Sequence, residues 1–170
     1  MALLLGTDPS RTKLIDLLKK NTSGIVLSAF FSDSADKWLS EFELDASTFV
    51  VRGQYLDFTS GVTSLKALKS LLHKGHIVKL KLNLHAKLFW FGNEMLVGSS
   101  NLTGNGFNLI ENGGNVELNS VVPATSENVA VVNNIISSSF ELTNELIDKM
   151  EILLNQESSL SPKRNFDWPS

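Results

Sequence analysis

Short apolar runs alternate with amphipathic stretches along this 170-residue chain, and that alternation restricts its fold more than any other feature. Runs such as GIVLSAFF at residues 24–31 have the length and branching of buried strands. Stretches such as residues 63–74, with leucines at helical spacing and Gly75 after them, are typical of helices. Alternating strands and helices predict a layered α/β sheet flanked by helices, and a hairpin at Gly92-Asn93 makes that sheet mixed.

The same patterns predict the other elements. Helices are predicted at residues 8–20 with Pro9 at the first position, at 34–42, at 63–74, from 126, and at 141–156. Strands are predicted at residues 24–31, 48–53, 76–82, 85–91, 95–99 and 115–122. Loops are predicted at residues 54–61 and, rich in Gly and Asn, at 104–114.

Length and composition predict one domain. A chain of 170 residues with 42% hydrophobic content can close one core, which we assign to residues 1–157, and residues 158–170 are expected to form a peripheral or flexible tail. The absence of cysteine excludes disulfides and thiolate zinc sites and suits the cytoplasm. No apolar run approaches the roughly 20 residues that span a bilayer, so no membrane partner is predicted.

The charges are distributed unevenly. Although the net charge is −3, residues 58–93 contain no Asp or Glu, yet they hold six lysines and all three histidines. This distribution predicts a locally positive surface that would attract an anionic substrate. The alternative is that these lysines only form the solvent-exposed faces of one helix and one strand.

The run Leu84-His-Ala-Lys-Leu-Phe-Trp places two cationic side chains where a core strand should be apolar. Alternation puts His85, Lys87 and Phe89 on one face, and burial of such a pair costs several kcal/mol, roughly, unless an anion compensates. A phosphate suits both groups, and Gly98-Ser-Ser-Asn101 at the next strand end offers amides and a carboxamide to its oxygens. The pattern predicts a phosphoryl-transfer site that needs no metal or other cofactor.

Three segments in this order, His85-Ala-Lys87, Gly98-Ser-Ser-Asn-Leu-Thr103 and Asn115-Val-Glu117-Leu118, resemble the HxK, GSxN and NxE signature of the phospholipase D superfamily, particularly its nuclease and restriction-endonuclease branch. The resemblance extends over about residues 50–118. It implies a phospholipase D-like fold and a metal-independent phosphodiesterase, foremost a DNA endonuclease. The alternatives are a phospholipid hydrolase or transferase and a catalytically idle nucleic-acid-binding or dimerisation module.

The resemblance also implies residue roles. His85 would be the nucleophile and form a phosphohistidine, Lys87 and Asn101 would hold the phosphoryl oxygens, and Ser99 would line the same pocket. Glu117 would fix the tautomer of the histidine, with Glu111 as the alternative acid. Two departures are the absence of the signature's aspartate after Lys87 and a long spacing between Asn101 and Glu117.

Arg52 and Asp57 resemble a segment that precedes the HxK strand in the nuclease branch, so Arg52 is expected either to reach the substrate phosphate or to brace the Asp57 loop. His73 and His76 form an HxxH pattern, but a helix end and a strand start separate them, so no metal pair is predicted.

The phosphohistidine chemistry that the resemblance implies needs two histidines, whereas the chain has one HxK. The expected assembly is therefore a homodimer with one composite site. Sequence specificity is left to a separate domain or subunit, and the choice between DNA and RNA stays open.

Overall fold

A computed structural model describes residues 3–111 and 113–158. Of the tail predicted at residues 158–170, all but the first residue therefore lies outside the described residues. The strands are β1 Leu4–Leu5, β2 Ile25–Ser28, β3 Thr48–Arg52, β4 Ile77–Lys81, β5 Leu88–Phe91, β6 Glu94–Gly98, β7 Asn119–Pro123 and β8 Phe140–Glu141. The helices are α1 Thr7–Lys20, α2 Asp33–Leu39, α3 Tyr55–Thr59, α4 Leu65–His73, α5 Ser126–Ser137 and α6 Asn144–Ser158.

The eight strands form one mixed sheet in the order β1-β7-β6-β5-β2-β3-β4-β8. Strands β2, β3 and β4 are parallel, and every other pair is antiparallel. The carboxyl ends of β2, β3, β4 and β6 and the amino ends of β5 and β7 consequently lie along one edge of the sheet. We call this the carboxyl edge.

Two hydrophobic clusters cover the two faces of the sheet. The larger cluster packs α1, α2, α4 and α6 against strand residues such as Val26 and Phe89, and the smaller packs α5 against residues such as Leu27 and Leu88. Neighbouring strand residues enter different clusters because successive side chains point to opposite faces. The layered, mixed α/β sheet predicted from the sequence is confirmed.

Several predicted boundaries are wrong. Strand β5 begins at Leu88, not at residue 85, and β7 begins at Asn119, not at residue 115, because the residues before each lack a ladder partner. The helix α3 occupies a predicted loop, where the backbone N–H of Asp57 bonds to the carbonyl of Gln54. Pro9 is the third residue of α1, since the helix begins two residues earlier.

The strands β1 and β8, at the two ends of the sheet, were not predicted, because two residues cannot display an alternating pattern. The hairpin at Gly92-Asn93 is present, with Phe91 opposite Glu94 and Gly92 at a φ of 61°. Within residues 3–111 and 113–158, no helix combines the length and apolarity that crossing a bilayer requires.

Candidate active site

The carboxyl edge brings together most of the residues predicted for the site. Arg52 ends β3, Lys87 precedes β5, Ser99 follows β6 and Glu117 lies two residues before β7. Backbone bonds tie the segments: Gly98 N donates to Lys87 O at 3.3 Å, and Ser99 N donates to the carbonyl of the residue before β7 at 3.1 Å. Ligands of open α/β sheets bind outside such strand ends.

Lys87 is a buried cation at this edge, with 8% of its surface exposed. Its Nζ donates to the carbonyl of His85 at 2.7 Å, and no carboxylate of the described residues forms an ion pair with it. Burial lowers the pKa of Lys87, the charge of Arg52 lowers it further, and Glu117 opposes both effects. An ammonium group with donors to spare in such a place can bind an anion, which stays a prediction for Lys87.

His85 lies in the segment between β4 and β5, outside any strand, and is exposed. The backbone around His85 is held in place, because Leu84 is buried and the carbonyl of His85 accepts the hydrogen bond from Lys87 Nζ. The spacing of the HxK segment thus leaves the imidazole accessible to a substrate while the backbone on both sides is held.

The carboxylate of Glu117 is bound on both oxygens. Ser99 Oγ donates to Oε2, and Asn115 Nδ2 donates to Oε1 at 3.1 Å. The Ser99 hydroxyl also accepts from the backbone N–H of Leu118 at 2.9 Å. The NxE segment is therefore hydrogen-bonded within itself. Ser99, which was predicted to line the phosphate pocket, uses its hydroxyl hydrogen in a bond to Glu117.

Glu111, the alternative acid, lies in the segment predicted as a Gly/Asn-rich loop and is exposed. It forms no hydrogen bond or ion pair with another described residue, in contrast to Glu117. Glu117 is thus the more firmly held of the two carboxylates, and its role as the acid of the site stays a prediction.

Asn101 presents its amide group as a donor. Its Oδ1 accepts from Phe30 N at 3.3 Å and Ser28 Oγ at 3.4 Å, which orients the carboxamide against the end of β2. No described residue accepts a bond from Nδ2. The turn that follows requires Gly106, because a Cβ there would collide with the carbonyl of Asn101.

Asn119 is a structural member of the site that the sequence reasoning missed. It is buried, its Oδ1 accepts from Ser100 N at 3.2 Å, and its Nδ2 donates to Ser100 Oγ at 2.8 Å and Ser10 Oγ at 2.9 Å. The carboxamide thereby joins α1 to the Gly-Ser-Ser-Asn segment. The signal in the sequence is its position two residues after Glu117, because alternation would place both side chains on the same side of an extended segment.

Arg52 braces the Asp57 loop. Its Nε and Nη2 each donate to a different oxygen of buried Asp57 at 2.7 Å, and its guanidinium lies 4.9 Å from the ring centroid of Phe30. The hydrogen bonds to Asp57 raise the pKa of Arg52. Because Nη1 has no partner among the described residues, the role of Arg52 toward a phosphate stays a prediction.

The two other histidines lie at the opposite edge of the sheet. His73 ends α4, and buried His76 precedes β4, where its Nδ1 accepts from Ser47 N at 3.1 Å and its ring packs against Phe49. Burial lowers the pKa of His76. Over residues 3–111 and 113–158, no three His, Asp or Glu side chains come together as a metal-binding group.

Comparisons with known proteins identify the fold. No protein-family model and no curated protein sequence matches the chain. Among solved structures, it is similar to the phosphatidylserine synthase of Haemophilus influenzae Rd KW20, an enzyme of the phospholipase D superfamily, at 14% identity and a TM-score of 0.60, over 99% of this chain and 46% of that one. A second match, at 10% identity and a TM-score of 0.49, is the archaeal chromatin protein TrmBL2, over 83% of this chain and 54% of that one.

The class that these observations define is the phospholipase D-like fold: a mixed sheet flanked by helices, with its polar residues along the carboxyl edge. The chain spans about half the length of the solved structures that it matches.

Proposed function

We propose that this chain is a metal-independent phosphodiesterase that cleaves DNA through a phosphohistidine on His85. The observation that carries the proposal is Lys87: a buried ammonium close enough to Arg52 to feel its charge, with no carboxylate partner among the described residues. The amide donors of Asn101 follow β6 at the same edge of the sheet. A phosphodiester supplies the missing negative charge. The cationic and amide donors supply the electrostatic stabilisation of the transition state.

In the first step a ring nitrogen of His85 attacks phosphorus, so that a P–N bond forms as a P–O bond breaks. The leaving oxygen takes a proton from a second histidine, which then removes a proton from water. That water attacks phosphorus and breaks the P–N bond, which restores both histidines. Glu117, held by Ser99 and Asn115, would orient the nucleophilic ring.

The second histidine would come from a second copy of the chain. His73 and His76 lie at the amino end of β4, and the five residues of that strand separate them from the carboxyl edge by roughly 16 Å. An isologous dimer would place two copies of His85 around one two-fold axis.

DNA is the substrate that the surface charges favour. In the lysine-rich stretch of residues 58–93, Lys69 pairs with Glu151 and Lys74 with Asp36, which removes two of the cations from a common surface. Lys81 remains at the carboxyl edge, opposite Arg52 in the β3–β4 ladder. Lys81 and Lys87, which form no ion pair with the described residues, are the cations that a phosphate backbone could contact here without base reading, so we assign sequence specificity to a separate domain or subunit.

A phospholipid is the second candidate substrate, and one observation favours it. An apolar cavity of about 210 Å³ opens beside Gly53, the residue after Arg52, and is lined by residues of α3, β4 and α6 that include Phe58, Leu80 and Met150. An acyl chain fits such a lining. The phosphatidylserine synthase with the same fold is named for a phospholipid product.

The test measures cleavage of supercoiled plasmid, bis-p-nitrophenyl phosphate and phosphatidylcholine vesicles in excess EDTA. Wild-type protein is expected to cleave the first two, His85→Ala to cleave none, and the control His73→Ala to match the wild type. Activity on vesicles alone would establish the second candidate. Activity that requires added magnesium, or that survives His85→Ala, would contradict the mechanism, and binding of DNA without turnover would indicate an idle binding module.

A further inference from the structure

The first residue of α1 is bonded to the segment that carries Glu117. Thr7 Oγ1 donates to the carbonyl of Asn115 at 2.7 Å and accepts from the backbone N–H of Glu117 at 3.0 Å. A hydroxyl can donate one hydrogen bond, and Thr7 donates it to a residue that lies 108 positions away in the chain. The two bonds fix the backbone on both sides of Val116.

The segment before β7 is also bonded at its two ends, where Asn115 N donates to Asn105 O at 2.9 Å and Leu118 N donates to Ser99 Oγ at 2.9 Å, while the backbone between them depends on Thr7. The segment forms no strand ladder, and Val116 between the two bonded residues is fully exposed, so no burial of this side chain holds the backbone in place. Among the described residues, the backbone N–H of Glu117 donates its hydrogen bond to the Thr7 hydroxyl. Since backbone polar groups away from secondary structure need partners, this hydroxyl holds the backbone at Glu117.

The hydroxyl is not needed by its own helix. The N-cap of α1 is Gly6, which has no side chain to cap with, and Thr7 follows it inside the first turn. An N-cap Thr would bond to its own helix two or three residues ahead, whereas the bonds of the Thr7 hydroxyl to described residues all go to the segment before β7.

From these contacts we infer that Thr7 is a positioning residue for Glu117, an inference that rests on the orienting role proposed for Glu117. Thr7 holds the carbonyl of Asn115 while the side chain of Asn115 holds Glu117 Oε1, and it holds the backbone of Glu117 directly. Loss of the hydroxyl releases two of the points that aim the carboxylate. Displacement of a catalytic group by about 1 Å reduces turnover by about 100-fold.

The experiment compares Thr7→Val, which keeps the shape and removes the hydroxyl, with Thr7→Ser, which keeps the hydroxyl. Steady-state cleavage of bis-p-nitrophenyl phosphate is expected to show kcat reduced by about 10- to 100-fold in Thr7→Val with KM within about twofold, and near wild-type values in Thr7→Ser. Thr12→Val is the matched control, because the one partner of the Thr12 hydroxyl in the described part of the chain lies within α1, Asp8 O at 3.2 Å. Wild-type kcat in a folded Thr7→Val protein would overturn the inference.

A second measurement does not depend on catalysis. Amide hydrogen exchange at Glu117, followed by NMR, is expected to be at least about tenfold faster in Thr7→Val than in wild type and unchanged in Thr7→Ser and Thr12→Val. If the wild-type protein cleaves neither DNA nor the model diester, the proposed function fails, and the exchange rate at Glu117 still decides whether Thr7 holds it. Equal protection in wild type and Thr7→Val would overturn the inference in either case.

Discussion

At Lys87, the stability of the fold and the binding of an anion place opposite demands on one side chain. The ammonium is buried beside Arg52, and burial lowers its pKa. A lysine whose pKa is lowered in the folded state destabilises the fold at every pH below that pKa, and the penalty disappears only as the pH rises toward the unfolded value. The penalty is therefore largest in the pH range in which the folded-state ammonium is charged.

Lys87→Met is therefore expected to stabilise the protein by about 1 kcal/mol while it abolishes turnover. The carbonyl of His85 loses a donor, but His85 is exposed and water can replace that bond. Urea denaturation at pH 7 measures the difference. His85→Ala is the control, with lost turnover and unchanged stability, and a Lys87→Met protein less stable than wild type would contradict the argument.

The assignment of Glu117 is tested against Glu111. Glu117→Gln is expected to lower kcat by about 100-fold, because the neutral amide no longer orients the imidazole in the form that the reaction needs. Glu111→Gln, which changes an exposed side chain of the 104–114 loop, is expected to leave kcat unchanged. Steady-state cleavage of the model diester gives both values. The reverse pattern would assign the role to Glu111.

At the scale of single elements, the sequence predicts what local patterns encode and fails where distant contacts decide. The β5–β6 hairpin follows from Gly92-Asn93, and α4 follows from its leucines and from Gly75. The start of β5 could not be predicted, because the ladder ends at Leu88 for want of partners while the apolar pattern continues back to Leu84. The residues before β7 look like a strand, yet their contacts are to α1 and to Ser99.

The contact between His76 and the start of β3 predicts a pH dependence of stability. Burial, and next the charge of Lys74, lower the pKa of His76 below its ordinary value of 6.5, with Asp36 acting in the opposite direction. Below about pH 6.5 the unfolded chain binds a proton that the folded chain excludes, so stability falls as the pH decreases and levels off below the folded pKa. Protonation of Nδ1 would also remove the acceptor of Ser47 N.

The measurement is urea denaturation at pH 7.5 and pH 5.0. His76→Gln is expected to lose less stability than wild type over this interval, since its side-chain oxygen still accepts from Ser47 N and does not titrate. Exposed His73 provides the control, and His73→Gln should keep the wild-type difference. A pH dependence that is the same in His76→Gln as in wild type would place its origin elsewhere.

At the scale of the whole molecule, the sequence predicts the layers and the mixed sheet, but not the strand order. That order places β2 between β5 and β3, and it alone explains why Lys87 lies near Arg52 although 35 residues separate them in sequence. Likewise Thr7 and Asn119 bear on the site only because β1 pairs with β7 and α1 packs beside them. No local pattern encodes such contacts.

The composite dimer is the prediction that concerns the whole assembly. Each copy of this chain offers one His85 at its carboxyl edge, and His73 and His76 are held at the far edge, so we propose that the second proton carrier comes from another copy. Sedimentation at micromolar concentration is expected to show a dimer.

In a fully exchanged, equal mixture of wild-type and His85→Ala chains, heterodimers make up about half of all dimers. Because each heterodimer lacks either the nucleophile or the acid, the mixture should retain about a quarter of the activity of the same total amount of wild type. Mixing with His73→Ala chains controls for exchange itself and should leave full activity, whereas retention of about half the activity in the His85→Ala mixture would mean that each copy works alone.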